Sequence, residues 1–188
     1  MEKHSTFDII RKAAWRQEGD KAMESIRVTH TFGPVFDEKS RILILGSFPS
    51  VKSREKQFYY GHPQNRFWKM LAGIAAAEPP ETIEEKKEFL LGSRIAVWDV
   101  IESCEIEGSS DSSIRNVAAN DMNLILRQAP IEKILCNGGK AYELFLKYCD
   151  APWYPPVKKM PSTSPANASW KLERLIEEWG TELTGREQ

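Results

Sequence analysis

Arg41-Ile42-Leu43-Ile44-Leu45-Gly46-Ser47-Phe48-Pro49-Ser50 opens the stretch around which the chain is organised. Its first half is a short run of branched apolar residues, the pattern of a strand buried on both faces in a parallel sheet. Gly46 permits a sharp turn, and Pro49 removes an amide and ends pairing. Val51 to Gln57 reads as a polar loop carrying Lys52, Arg54 and Lys56. Phe58-Tyr59-Tyr60-Gly61-His62-Pro63-Gln64-Asn65-Arg66-Phe67-Trp68 follows, with five aromatics around His62, Asn65 and Arg66. Open α/β sheets bind ligands beyond the carboxyl ends of their strands, and this loop lies at such an end.

Working outward, the same alternation repeats. Met1 to Val28 reads as an amphipathic N-terminal helical extension, and 29–188 as one domain. Pro63 favours a helix beginning at Gln64 or Asn65, with Phe67, Trp68, Leu71 and Ile74 inward. Glu78-Pro79-Pro80 breaks it. Thr82 and Glu85 have capping-box spacing for a helix running to about Leu91. Arg94 to Ile101 is a second buried strand containing Asp99. Glu102 to Ser113 reads as an exposed loop, and Ile114 to Ala129 as a helix. Lys133 to Cys136 is a third strand, closed by Asn137-Gly138-Gly139. A helix follows through Ala141, Leu144, Phe145 and Tyr148. Val157 to Pro161 is a fourth strand, delivering Ser162-Thr163-Ser164-Pro165-Ala166-Asn167. The last helix faces inward through Leu172, Leu175, Ile176 and Trp179. Such alternation predicts a three-layer α/β/α domain on a mostly parallel four-stranded sheet.

Composition narrows the chemistry. With 188 residues and a formal net charge of −1, the chain has no global electrostatic footprint for nucleic acid. Any such contact needs a local patch. Its three cysteines lack metal-ligand spacing. His62 has no spaced partner, so no metal site is expected, and His4 and His30 read as surface or packing residues. No signal peptide or apolar span is visible, which makes a cytoplasmic protein with no membrane contact the expectation. Asp99 at its strand end is a base, a cap or a salt-bridge partner. Lys52, Arg54, Lys56, Arg66 and Lys69 form either a solvated face or, interleaved with aromatics, a nucleic-acid surface.

Leu45 to Ser50, followed by Tyr59 to Trp68, resembles the uracil-DNA glycosylase superfamily, and within it the hypoxanthine-DNA (deoxyinosine) glycosylase branch. Ser162 to Asn167 is similar to the superfamily's second, Ser-Pro-containing DNA loop. The resemblance spans roughly His30 to Trp179. The strand-end turn lacks the Asp of the main uracil-removing enzymes and the Asn of the mismatch-specific branch, and the second loop lacks a histidine near Ser162. In the hypoxanthine branch the essential amide lies in the His-Pro-x-Asn segment, which maps to Asn65.

The resemblance implies a monofunctional glycosylase that hydrolyses the N-glycosidic bond of hypoxanthine, and of uracil or xanthine, in damaged DNA. It implies no metal and no organic cofactor, and a monomer is expected. Asn65 is the catalytic candidate. Gly46, Ser47, Phe48, Pro49, Tyr60, His62 and Asn137 are the base-pocket candidates, with Tyr60 first and Phe48 second as the stacking platform. Lys52, Arg54, Lys56, Arg66, Ser162, Thr163, Ser164, Pro165, Ala166 and Asn167 are the DNA-binding candidates, with the wedge at Ala166 and Asn167. The alternatives are a catalytically silent binder of damaged or single-stranded DNA and a hydrolase of free nucleosides.

Overall fold

The structure, a computed structural model, describes residues 26–107, 110–149 and 151–185. The helix expected over 1–28 lies outside these up to residue 25, as does His4. Its last positions differ from expectation: Ile26–Thr29 is a strand, β1. Next comes β2, Ile42–Gly46, whose Leu43, Ile44 and Leu45 are fully buried. The segment expected to be a polar loop is instead a short helix, α1, Val51–Lys56. Ser50 starts it, its hydroxyl accepting from the Ser53 amide. With Ser53 as its only buried residue, α1 has no apolar stripe to betray it.

Helix α2, Phe67–Ala75, begins slightly later than proline placement suggested and buries Phe67, Trp68, Met70, Leu71 and Ala72. Helix α3, Ile83–Gly92, opens with the expected capping box, Thr82 and Glu85 each serving the other's backbone amide. The second strand of the core, β3, is Ile95–Asp99 and is buried throughout. Beyond it the sequence reading departs from the structure. Glu102 to Ser113 is no simple loop, because Ile101–Ile106 forms strand β4. Ile114 to Ala129 is not one helix but strand β5, Arg115–Ala119, followed by a single helical turn, α4, Asn123–Leu126. The remainder follows expectation: β6 (Lys133–Asn137), α5 (Gly139–Tyr148), β7 (Val157–Met160) and α6 (Leu172–Thr184).

The order β3-β2-β6-β7 makes a four-stranded, all-parallel sheet flanked by helices, the α/β/α arrangement expected. A second, three-stranded antiparallel sheet, β1-β4-β5, has no counterpart in the sequence reading. The two sheets meet at the end of β2, where Val100 and Ile101 amides donate to the Gly46 and Ser47 carbonyls. Parallel register places Gly46 beside Asp99, while Asn137 pairs with Met160. Thus the carboxyl ends of all four core strands open onto one edge. Just past the carboxyl end of β7, α6 buries Trp179, whose indole N–H donates 3.0 Å to the Pro161 carbonyl and so anchors the root of the Ser-Pro loop.

Candidate active site

A cavity of about 130 Å³ lies at that edge, lined by Gly46 to Ser50, Ser53, Tyr59, Tyr60, Asn65, Asp99, Ile106, Asn137 and Ser162 to Ser164. It therefore collects Gly46, Ser47, Phe48, Pro49, Tyr60, Asn65 and Asn137, as the sequence predicted. His62 is the exception. Its Nδ1 accepts from the Gln64 amide at 3.2 Å, so it shapes the turn before α2 and does not line the cavity.

Asn65 is held by its oxygen. Oδ1 accepts 3.0 Å bonds from the Phe67 amide and from the Thr163 hydroxyl. The Phe67 amide can only donate, so the atom facing it is the oxygen. The amide nitrogen is left with no protein partner among the described residues, in a residue that lines the cavity. Asn65 thus helps to start α2 and still keeps an amide donor free of any partner among the described residues.

Asp99 closes the floor. Its Oδ2 pairs with His30 Nε2 at 2.9 Å, and both side chains are almost wholly buried. Its Oδ1 packs over Gly46, where a Cβ would stand only 2.2 Å away. Glycine is required here by close approach. His30 was expected to be a packing or surface residue. It does pack, against Phe32, Phe48 and Tyr59, and it also holds a pocket carboxylate, with its own Nδ1 buried and unpartnered among the described residues. Tertiary pairing alone reveals this role, since 69 residues separate the two. For Asp99, the position at a strand end was the available signal, and the structure gives its carboxyl a histidine partner where an Arg or Lys was expected.

Tyr60 adopts φ 51° and stacks on Phe67 with ring centroids 3.8 Å apart. One face of its ring is therefore occupied. Its hydroxyl points into the protein beside Asp99 and makes no hydrogen bond of ordinary geometry. Burial, then the nearby Asp99 carboxylate, pushes the phenol upward, and Asn137 opposes part of that shift. Tyr59 is shifted upward by the same burial and charge. Its hydroxyl donates to the Gly33 carbonyl at 2.8 Å. Phe48 supplies a further aromatic surface of the cavity, beside Tyr59 and Tyr60, with the Arg54 guanidinium 5.6 Å from its ring.

Several DNA-binding candidates prove to be internal. Arg66 directs its guanidinium inward, donating to the carbonyls of Thr163, Ser164, Asn167 and Trp170. Its own amide donates to the Thr163 carbonyl as well, at 3.1 Å. It clamps the Ser-Pro loop to the start of α2 instead of reaching toward phosphate. Thr163 is fully buried and equally unavailable to DNA. Asn167 turns its Nδ2 back onto the Ser162 carbonyl at 2.9 Å, and the Ser162 and Ser164 hydroxyls accept amides within the loop. Pro165 and Ala166 stand exposed at the tip. On the other rim, Lys52 pairs with Glu55 at 2.7 Å, Arg54 donates to the Pro49 carbonyl at 2.7 Å, and Lys56 is exposed. Burial lowers the Arg54 pKa, with Cys104 opposing. Among the described residues, no group of three or more His, Cys, Asp or Glu could hold a metal ion, and no helix is long and apolar enough to cross a membrane.

Residues 34–183 match the family described as the Uracil DNA glycosylase superfamily. The chain is 39% identical over 151 residues to the hypoxanthine DNA glycosylase of Methanosarcina acetivorans, covering 78% of this chain and 92% of that protein. It is 37% identical over 114 residues to the hypoxanthine DNA glycosylase of Methanosarcina barkeri, covering 60% and 72%. A solution NMR structure from M. acetivorans, provisionally named a uracil DNA glycosylase, superposes with a TM-score of 0.69 at 35% identity, over 82% of this chain and 95% of that one.

Proposed function

The chain belongs to the uracil DNA glycosylase superfamily, and on that premise we propose that it hydrolyses the N-glycosidic bond of deaminated bases flipped out of DNA, hypoxanthine first and uracil more slowly. The observation that carries this reading is the Asn65 amide, whose oxygen accepts two hydrogen bonds while its nitrogen has no protein partner among the described residues, in a residue that lines the cavity. As the glycosidic bond breaks, negative charge collects on the base and positive charge on the sugar. A preorganised neutral donor stabilises that leaving base without a competing charge of its own. Water then adds to C1′, leaving the free base and an abasic site.

Asp99 supports the choice of substrate. A carboxylate oxygen accepts and does not donate. Deamination turns the bare ring nitrogen of adenine or cytosine into an N–H, so hypoxanthine and uracil offer a proton where their parents offer a lone pair. A buried acceptor at the floor favours the deaminated base, because the parent would leave it facing a lone pair.

Flipping costs roughly a few kcal/mol, and stacking on an aromatic returns about 1–3 kcal/mol per base. Phe48 and Tyr60 are the platforms of this reading among the three aromatics that line the cavity, and Phe67 already covers one face of Tyr60. The exposed tip of the Ser-Pro loop supports a DNA substrate over a free nucleoside, which needs no wedge. Lys52 and Lys56 supply the phosphate contacts on the opposite rim. In this reading the enzyme acts as a monomer in the cytoplasm and needs no metal. Sedimentation at the mass of one 21.5 kDa chain is the check on the first of these.

The test is incubation with duplexes carrying hypoxanthine, uracil or xanthine, with and without EDTA, followed by alkaline cleavage at abasic sites. Hypoxanthine release that survives EDTA is expected. Release from free deoxyinosine with none from oligonucleotides would replace this reading with a nucleosidase. Tight lesion binding without cleavage would replace it with a silent binder.

A further inference from the structure

We propose that Thr163 is a positioning residue whose hydroxyl acts as a one-way relay, fixing which end of the Asn65 amide faces the pocket; this rests on the reading of Asn65 as the donor to the leaving base. The argument is one of polarity. The Thr163 backbone N–H can only donate, and it lies 2.9 Å from the Asn137 side chain, so the atom it meets is Asn137 Oδ1. The other end of that amide, Nδ2, must then donate, and it does so to Thr163 Oγ1 at 2.9 Å. With a lone pair engaged in this way, the hydroxyl sends its single proton to Asn65 Oδ1 at 3.0 Å. Asn65 is left with only its nitrogen to offer the cavity.

Two backbone amides thus set the orientation of a pocket amide, that of Phe67 directly and that of Thr163 through two side chains, and the relay supplies the second of the two donors that hold the Asn65 oxygen. The surroundings hold the relay in place. Thr163 has no exposed surface, and its carbonyl takes the Arg66 amide at 3.1 Å, tying it to the first turn of α2. Gly138, with φ 104°, brings the Asn137 turn against Ser162, where a Cβ would lie 3.0 Å from the serine Cβ. Asn137 and Thr163 are thereby seated side by side on neighbouring strand ends.

Thr163→Val keeps the shape and removes the hydroxyl, whereas Thr163→Ser keeps the hydroxyl. Asn137→Asp keeps the shape of its residue but puts an acceptor where Nδ2 was, which draws the Thr163 proton away from Asn65. Each variant is compared with the full-length wild type in single-turnover excision from hypoxanthine duplex, in lesion-DNA affinity and in thermal melting. Thr163→Val and Asn137→Asp should slow excision by about 10-fold or more, a part of the roughly 10²–10³ that complete loss of such a donor costs. Affinity should stay within about 2-fold and Thr163→Ser should excise near the wild-type rate, both margins being small beside the roughly 10-fold that 1.4 kcal/mol represents. On an Asn65→Ser background, Thr163→Val should cost nothing further, because its effect runs through Asn65. A Thr163→Val enzyme that excises normally, a serine variant as slow as the valine one, or an additive double variant each overturns the relay. If Thr163→Val does not fold, Asn137→Asp decides: normal excision by it rejects the proposal and slow excision upholds it. Wild-type enzyme that releases no base from any lesion would instead defeat the functional reading itself.

Discussion

Asn65→Asp separates the two jobs of that side chain more sharply than any other single change. The aspartate places an oxygen where Oδ1 stands, so it keeps the bonds from the Phe67 amide and the Thr163 hydroxyl, both 3.0 Å in the native protein. Helix α2 should start as before, and thermal stability should barely move. At the other end of the group, a donor becomes an acceptor that carries charge toward a base that is itself becoming negative. Loss of one such donor costs about 10²–10³ in rate, or about 2.7–4 kcal/mol of transition-state stabilisation. The added repulsion can only increase it. Asn65→Ala is the complementary perturbation, because it leaves the Phe67 amide and the Thr163 hydroxyl without their acceptor. Leaving a buried group unsatisfied costs about 1–3 kcal/mol, and each kcal/mol lowers Tm by about 2–4 °C in a domain of this size. The assay is single-turnover excision from a hypoxanthine duplex at saturating enzyme, with melting curves on the same preparations. The expected pattern is an aspartate variant that melts like wild type yet excises at least about 10²-fold more slowly. The alanine variant should be both slow and less stable. An aspartate variant excising within a few-fold of wild type would remove Asn65 from the chemistry and leave it only the role of helix starter.

Other perturbations probe the surroundings of the pocket. Gly46→Ala drives a methyl into Asp99 Oδ1, which stands 2.2 Å from that Cβ position, so excision should fall with little loss of DNA affinity; unchanged excision would show that the Asp99 carboxylate is dispensable. Arg66→Met should lower Tm and excision by releasing the Ser-Pro loop, while leaving the salt dependence of DNA binding unchanged, because its guanidinium serves carbonyls and not phosphate. Reversing both Lys52 and Lys56 to Glu should weaken binding to all duplexes alike and flatten the salt slope by about 1 per lost phosphate contact; equal affinity at low salt would mark them as solvated charges. Burial raises the Cys136 thiol to about 12, so at pH 8 it stays a thiol in the native fold and should resist alkylation until the protein is unfolded.

Much of the core was legible because its signals are local. A five-residue apolar run ending in glycine could hardly be anything but a strand covered on both faces, and Thr82 with Glu85 announced the start of α3. What escaped were elements whose identity depends on distant partners. Strand β4 alternates buried and exposed positions only loosely, with Ser103 and Cys104 both inward and its register broken by irregular pairing. Its polar residues therefore read as loop. Strand β5 has no fully buried residue at all, and only pairing with β4 makes it a strand. The site divides in the same way. Gly46, Asn65 and Asn137 sit on strand ends and turns that sequence can locate. The inward course of Arg66, whose carbonyl partners lie 97 to 104 residues away, could not be read from a basic residue among aromatics. The polar partners of His30 and Thr163 were hidden for that reason too: Asp99 lies 69 residues from one, Asn65 and Asn137 lie 98 and 26 residues from the other.

The inward-turned Arg66 has a consequence for redesign. It fixes the root of the Ser-Pro loop through carbonyls at Thr163, Ser164, Asn167 and Trp170, while Pro165 and Ala166 project from the tip. Root and tip are therefore separate modules joined by only a few covalent bonds. A combinatorial library confined to positions 165 and 166 would vary the exposed shape of the loop while leaving the hydrogen-bonded frame of the pocket intact. Selection on mismatched or single-stranded substrates could then retune strand preference as a cassette, with the bond-breaking apparatus carried along unaltered.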